Sequence, residues 1–238
     1  MIISNLVETH SHILPAIDDG APDLDTSLAM ISRLKAQGAE AVILTPHYYS
    51  DSISLQDFLD RRDNAFELLK KELKNDSIRL IPAAEVYISS YLFNYESLDD
   101  LKIGSSDYIL LEHSFSCDFG QECYDRILSL NCDYGVKPIL AHIERYSALM
   151  ENEELLDEYL KIGCLVQANV SSFADAPRAI RKKLFKYLDS GRIHFIGSDC
   201  HNLSSRAPSY EKGIKEIIKK SSKEALELLE KNANLLIK

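Results

Sequence analysis

Short apolar runs rich in Ile, Leu and Val alternate along this chain with longer segments whose apolar residues recur every three or four positions. The first pattern marks buried strands and the second amphipathic helices, so their alternation predicts β-α units around a parallel sheet. Seven strands are predicted: the stretch through His12, then Ala41–Thr45, Arg79–Tyr87, Tyr108–Leu111, Lys137–Ala141, Cys164–Val170 and His194–Ser198. Between them, Asp25 can cap a helix with Leu28, Ile31 and Leu34 on one face, closed by Gly38. Ser54 and Asp57 form a capping-box pattern ahead of a helix burying Phe58, Leu59, Phe66, Leu69 and Leu73. Helices follow around Gln121–Leu130, over Glu153–Ile162 up to Gly163, and from Pro177 to Ser190, where Pro opens and Gly191 follows the end. The tail from Ser209 reads as amphipathic helices packed outside, and 1–238 reads as one α/β barrel domain.

The strand ends change this picture from architecture to chemistry. In Thr9-His10-Ser11-His12, an extended backbone puts both imidazoles on one face, and the Asp18-Asp19-Gly20 turn can return a carboxylate over the same end. His47 follows the second strand, and Glu85 lies inside the apolar third, where an unpaired carboxylate would cost several kcal/mol. Glu112 and His142 end the fourth and fifth strands. Asp199 and His201 end the seventh with the same period-two spacing as His10 and His12, which turns Cys200 away. In a parallel barrel these C-terminal ends converge on one rim, where such barrels place their active sites. Five His and four carboxylates, counting Asp19, suit Mn, Fe or Zn. Taken singly, His194 reads as structural because it begins a strand; Tyr48, Tyr49 and Tyr146 read as packing, and Glu144 faces away from His142 and Arg145.

Composition narrows the function classes. A formal charge of -10 disfavours nucleic acid, whose phosphates are held by surplus Lys and Arg. Cys117, Cys123, Cys132, Cys164 and Cys200 are odd in number, scattered, and lack a C-x-x-C, which argues against a disulfide framework and a zinc knuckle and predicts reduced thiols. No apolar run approaches a membrane span, and the first residues lack a leader pattern, so a cytoplasmic protein without membrane insertion is expected.

His10-Ser11-His12 with the Asp-Asp-Gly turn, the buried Glu85, His142-Ile143-Glu144-Arg145-Tyr146, and Asp199-Cys200-His201-Asn202-Leu203 with Arg206 together resemble the polymerase and histidinol phosphatase (PHP) superfamily. Within it the chain is most similar to the CpsB/YwqE-type bacterial protein tyrosine phosphatases of capsule and exopolysaccharide loci. That resemblance, which runs from His10 to Arg206, implies a distorted (β/α)7 barrel with three divalent metal ions, Mn preferred. It implies the ligands His10, His12, Asp19, His47, Glu85, Glu112, His142, Asp199 and His201, with Glu85 bridging two ions, and Arg145 and Arg206 gripping phosphate. Three divalent ions against four carboxylates leave surplus positive charge, so the site attracts an anion despite the acidic surface. The implied reaction is in-line attack on phosphotyrosine by metal-bound hydroxide, and the implied partner is the tyrosine-rich tail of a polysaccharide-biosynthesis tyrosine kinase. The sequence departs from the family at Ala84, where Gly is frequent, and at His113, where an apolar residue is common.

Beside a metal-stabilised binding module that recruits a tyrosine kinase without catalysis, which the intact ligand set with both arginines disfavours, two enzymatic competitors remain at this level. One is another phosphoesterase of the superfamily, such as a histidinol phosphatase. The other is a cysteine-nucleophile phosphatase, because Cys200 and Arg206 satisfy C-x5-R; the segment between them has no glycine for a phosphate-wrapping turn, which counts against it.

Overall fold

The computed structural model describes residues 6–74 and 76–237; the reading of the extreme N-terminus as leaderless concerns residues outside that range. Parallel strands make two sheets. In the first, β1 (Leu6–Glu8), β2 (Ala39–Leu44) and β4 (Arg79–Pro82) pair in that order. The second runs through β3 (His47–Tyr49), β5 (Glu85–Tyr87), β6 (Tyr108–Glu112), β7 (Lys137–Leu140), β8 (Leu165–Asn169) and β9 (Phe195–Gly197).

Backbone hydrogen bonds join the sheets. Ala83 N–H donates to the Leu44 carbonyl and Glu85 N–H to that of Pro46, so β2 with β3, and β4 with β5, form two bent staves. At the far seam Asp199 N–H donates to the His10 carbonyl and His12 N–H to that of Cys200, each at 2.9 Å. The result is a ring of seven staves, as the alternation predicts. The single strand expected over 79–87 is divided because Pro46 and Pro82 have no N–H to give the ladder, and the register re-forms only beyond them.

The helices form where the apolar period changes. Helix α1 (Leu24–Lys35) starts two residues earlier than expected: Asp23, not Asp25, caps it, accepting from Thr26 N–H at 2.8 Å, while Asp25 lies in the first turn, where its charge suits the dipole. Ser54 caps α2 (Leu55–Glu72) as its spacing predicts. Then come α3 (Gln121–Cys132), α4 (Ser147–Glu151), α5 (Glu153–Lys161), α6 (Ser172–Asp175), α7 (Arg178–Asp189), α8 (Glu211–Lys220) and α9 (Lys223–Leu235). Neither α4 nor α6 is foreseen, since one turn of helix leaves no readable period.

Alternate strand residues divide the core. Val42, Leu44, Leu111, Leu140 and Val166 face the helices, whereas Val7, Ala41, Ile43, Ile81, Leu110, Ile139 and Phe195 fill the barrel. Leu236 enters that interior cluster beside Ile103. Arg79, at the start of β4, donates to the Ile237 carbonyl, so the chain end closes the barrel floor while the strands' C-terminal ends stay open. Among the described residues no helix is long and apolar enough to cross a membrane.

Candidate metal centre

All nine predicted ligands meet at that open rim. His10 and His12 follow β1 with their Nε2 atoms 3.2 Å apart, and Glu85 Oε2 lies 3.2 Å from each. Asp199 Oδ1 closes on the same pair at 3.5 and 3.6 Å. Glu85 Oε2 also lies 3.1 Å from His47 Nδ1, and its Oε1 lies 2.9 Å from His142 Nε2, whose next neighbour is Glu112 Oε1 at 3.3 Å. Asp19 Oδ1 stands 3.5 Å from His47 Nε2 and 3.4 Å from His201 Nε2. Glu85 thus faces two groups of donors, the placement a bridging carboxylate requires.

These spacings fit cations. Two ligands bound about 2.1 Å from one ion and set 90–110° apart are separated by roughly 3.0–3.4 Å. The group of His10, His12 and Glu85 satisfies this at 3.2 Å throughout, and two overlapping groups, His47 with Glu85 and Glu112, and His12 with Asp19, His47 and His201, hold their donor atoms within 4.8 Å of one another. The buried His47 Nδ1 and His201 Nε2 make no hydrogen bond, although the Glu85 and Asp19 carboxylates lie 3.1 and 3.4 Å away, which is costly unless something else takes their lone pairs. The donor set therefore fits a hard or borderline divalent ion.

The local backbone explains how the chain reaches this arrangement. Gly20 presses against His12 so closely that a Cβ would sit 2.1 Å from the His12 carbonyl oxygen, and the Asp-Asp-Gly turn folds back only because that atom is missing. Asp18 Oδ2 then accepts from His12 Nδ1 at 2.8 Å and from His47 N–H at 3.0 Å, which frees His12 Nε2 for the centre. His142 and Asp199 have φ of 36° and 52°, left-handed values that non-glycine residues seldom adopt away from functional sites. Asp199 is therefore not on a simple extended strand; the turn there, rather than alternation alone, brings it and His201 to the rim.

Without bound ions, protein charges alone set the protonation of the cluster. Burial disfavours charge on His12, but the hydrogen bonds it donates to Asp18 and Glu85 outweigh this and raise its pKa to about 10. His142 is likewise raised to about 9 by Glu112 and Glu85 against the pull of burial. His201, desolvated and facing His12, falls to about 3. Burial pushes Glu85 and Asp199 upward, yet the surrounding imidazoles hold both well below the carboxylate range. Carboxylates that stay ionised in so dry a place need positive charge beside them.

Arg145 and Arg206 stand at the mouth, about one-third exposed, each donating to Asp199 at 2.7 and 2.8 Å. They line a cavity of about 420 Å³ with Asn169 and Ser171. The planar forks keep free donors for an anion there. Cys200 is excluded as a nucleophile: it is fully buried, and desolvation together with Glu8 holds its thiol well above the usual range. His194 is structural, as expected, its Nδ1 accepting from Val166 N–H. Tyr48 and Tyr146 are buried core, while Tyr49 lies exposed beside His47, 5.4 Å between ring centres.

Sequence reasoning misses several supporting residues. Glu8 Oε1 accepts from His10 N–H, Ser198 N–H and Tyr210 O–H, which ties β1 to the end of β9. Gln167 Oε1 accepts from His142 N–H at 2.7 Å, and Asn169 donates to Asp199 Oδ2 at 2.9 Å. Glu144 is structural, accepting from Asn169 N–H and Ser172 O–H. Phe115 lies 5.3 Å from the Arg145 guanidinium. Glu8 and Gln167 carry the same signal as Glu85, a polar side chain within an apolar strand; Phe115 carries none.

Fold and site together define a class, a parallel α/β barrel with a candidate His-carboxylate metal centre at its C-terminal rim. Residues 6–238 match the family described as capsular polysaccharide synthesis, CpsB/CapC, and the chain belongs to that family. It is 30% identical to the tyrosine-protein phosphatase CpsB of Streptococcus pneumoniae, with 98% of each chain covered. It is 28% identical to the tyrosine-protein phosphatase YwqE of Bacillus subtilis over 98% of this chain and 92% of that one. Its fold is similar to a solved structure from the work on YwqE and CpsB, described as unique metal-dependent tyrosine phosphatases, with a TM-score of 0.81, 26% identity, and 98% and 94% of the chains covered. A more distant likeness in fold, TM-score 0.56 at 13% identity and 98% coverage of both chains, is to the phosphotriesterase homology protein of Escherichia coli.

Proposed function

We propose that this chain is a metal-dependent protein tyrosine phosphatase. The observation that carries the reading is the convergence of nine ligand side chains, with two buried nitrogens that make no hydrogen bond, directly beneath two arginines at the mouth. His10, His12, Asp19, His47, Glu85, Glu112, His142, Asp199 and His201 would hold three divalent ions, Mn preferred. Ions bound there supply Lewis acidity and a water that is nucleophilic near neutral pH.

The protein's own residues do the rest. Arg145 and Arg206 leave Asp199 in part to clasp phosphoryl oxygens, and their charge favours the transition state over the ground state. Asn169 keeps Asp199 oriented as the arginines turn. Tyr49 and Phe115, exposed on either side of the rim, offer aromatic faces to a phenyl ring. A phenolate, with a free pKa of about 10, leaves without the protonation that an alkoxide needs. The chain acts as one domain, 1–238, in the cytoplasm, on a phosphotyrosine protein such as the tyrosine-rich tail of a polysaccharide-biosynthesis kinase.

Turnover of phosphotyrosyl, phosphoseryl and histidinol phosphates under matched Mn tests the substrate class. The phosphotyrosyl peptide is expected to be turned over at least tenfold better than either; preference for histidinol phosphate would replace this reading with that of another phosphoesterase.

A further inference from the structure

Starting at the residue after Glu112, the segment that links β6 to α3 gathers three further donors that spacing alone does not suggest. Cys117 Sγ lies 2.9 Å from Cys123 Sγ. The left-handed turn at Phe119, φ 54°, folds the segment back so that Cys117 meets the first turn of α3. His113, directly after β6, is 5% exposed, and one of its ring nitrogens lies within 4.8 Å of both sulfurs. Its Nε2 is buried with no hydrogen-bond partner. A buried imidazole with an unpartnered nitrogen, in one group with two thiols that touch each other, leaves lone pairs without a hydrogen-bond donor.

The geometry points to a second, thiophilic metal site, in which His113, Cys117 and Cys123 take one zinc(II)-class ion separate from the His-carboxylate centre. Two sulfurs and one imidazole select a softer ion than the oxygen-rich rim does. On binding, each thiol releases its proton to solvent, the two thiolates and the imidazole form three bonds to the ion, and a fourth position is left to water. Bonds of about 2.3 Å at tetrahedral angles separate two sulfurs by roughly 3.8 Å, so the pair opens by about 1 Å, a movement that Cys117 can make on its loop. Burial and the neighbouring Cys117 push the Cys123 thiol up to about 12, with Arg126 on α3 opposing them only in part, so the thiolate forms with the bound ion rather than ahead of it. Both cysteines are only partly buried, and a cavity of about 520 Å³ lined by Phe119, Gly120 and Tyr124 opens next to them. The site sits on the segment that carries Phe115 over Arg145, so an ion here fixes one wall of the catalytic mouth.

Titration of the reduced, full-length protein with cobalt(II) tests this directly, because cobalt bound by thiolate gives a near-ultraviolet sulfur-to-metal absorption that nitrogen and oxygen ligands do not. One equivalent of cobalt is expected to show that band, and zinc(II) is expected to abolish it. The double substitution Cys117→Ser and Cys123→Ser should remove the band and one bound equivalent, leaving the remaining cobalt in place; His113→Ala should weaken the band-forming step at least tenfold. Absence of the band in the wild-type protein overturns the site without recourse to any variant. A band that survives the double substitution, or one indifferent to His113→Ala, overturns the assignment of these donors.

Discussion

At the scale of single residues, two neighbours separate the competing chemistries. Asp199 and Cys200 are adjacent, yet one is held ionised among imidazoles and the other is a buried thiol facing Glu8. Cys200→Ser is expected to keep phosphatase activity within a few-fold of wild type, while Asp199→Ala or His201→Ala should reduce it by several orders of magnitude; initial rates on a phosphotyrosyl peptide measure both. Asp18 has a subtler part. Its carboxylate, held down to about 2 by His12 although burial opposes this, fixes the ring whose other nitrogen faces the centre. Loss of such an outer partner typically costs about 10–100-fold in metal affinity. Asp18→Asn should therefore raise the Mn concentration needed for half-maximal activity by that order, with little change at saturation. The convergence of these side chains was legible because a charged or imidazole residue in six of seven apolar strands or at their ends has no bland reason to recur so often. The residues that hold them were less so: Gln167 and Asn169 reach His142 and Asp199 across neighbouring staves from far along the chain, and the Asp-Asp-Gly turn does not by itself say that Asp18 is the carboxylate on the His12 ring.

At the scale of elements, period and punctuation predict existence and type better than limits. Ser54 and the Pro177–Gly191 pair are recovered because a cap or a fixed φ acts over three or four residues. The division of the strand over 79–87 depends on the donors that Pro46 and Pro82 fail to give a partner strand, and no local pattern announces that. The left-handed turns at His142 and Asp199 are imposed by the site in the same way, since neither residue type demands them. One close contact shows how tightly the outer layer supports the rim. A Cβ on Gly213 of α8 would lie 2.0 Å from the carbonyl oxygen of Val170, one residue beyond β8 and its Asn169. Gly213→Ala is expected to push α8 off that strand end and destabilise the fold by about 1–3 kcal/mol, the usual cost of overfilling a packed contact. Chemical denaturation reads the stability, and a rise in KM for the peptide would report the displaced Asn169.

At the scale of the whole molecule, an acidic chain binds an acidic substrate. With a formal charge of -10, long-range attraction cannot draw a phosphopeptide in, so affinity must come from the mouth itself. Fold class was legible for a related reason: seven β-α units leave few ways to close a parallel sheet, and closure carries every C-terminal strand end to one side. The chain then gathers four ligand carboxylates at that rim, a concentration of negative charge that protons on His12 and His142 only partly offset. The central claim is that divalent ions complete this rim and make it catalytic. Elemental analysis of the purified protein, paired with phosphotyrosine release before chelation, after it, and after Mn is restored, measures that claim most directly. The account predicts about three ions per chain, loss of activity on chelation, and its return with Mn. Full turnover by protein stripped of metal would contradict it.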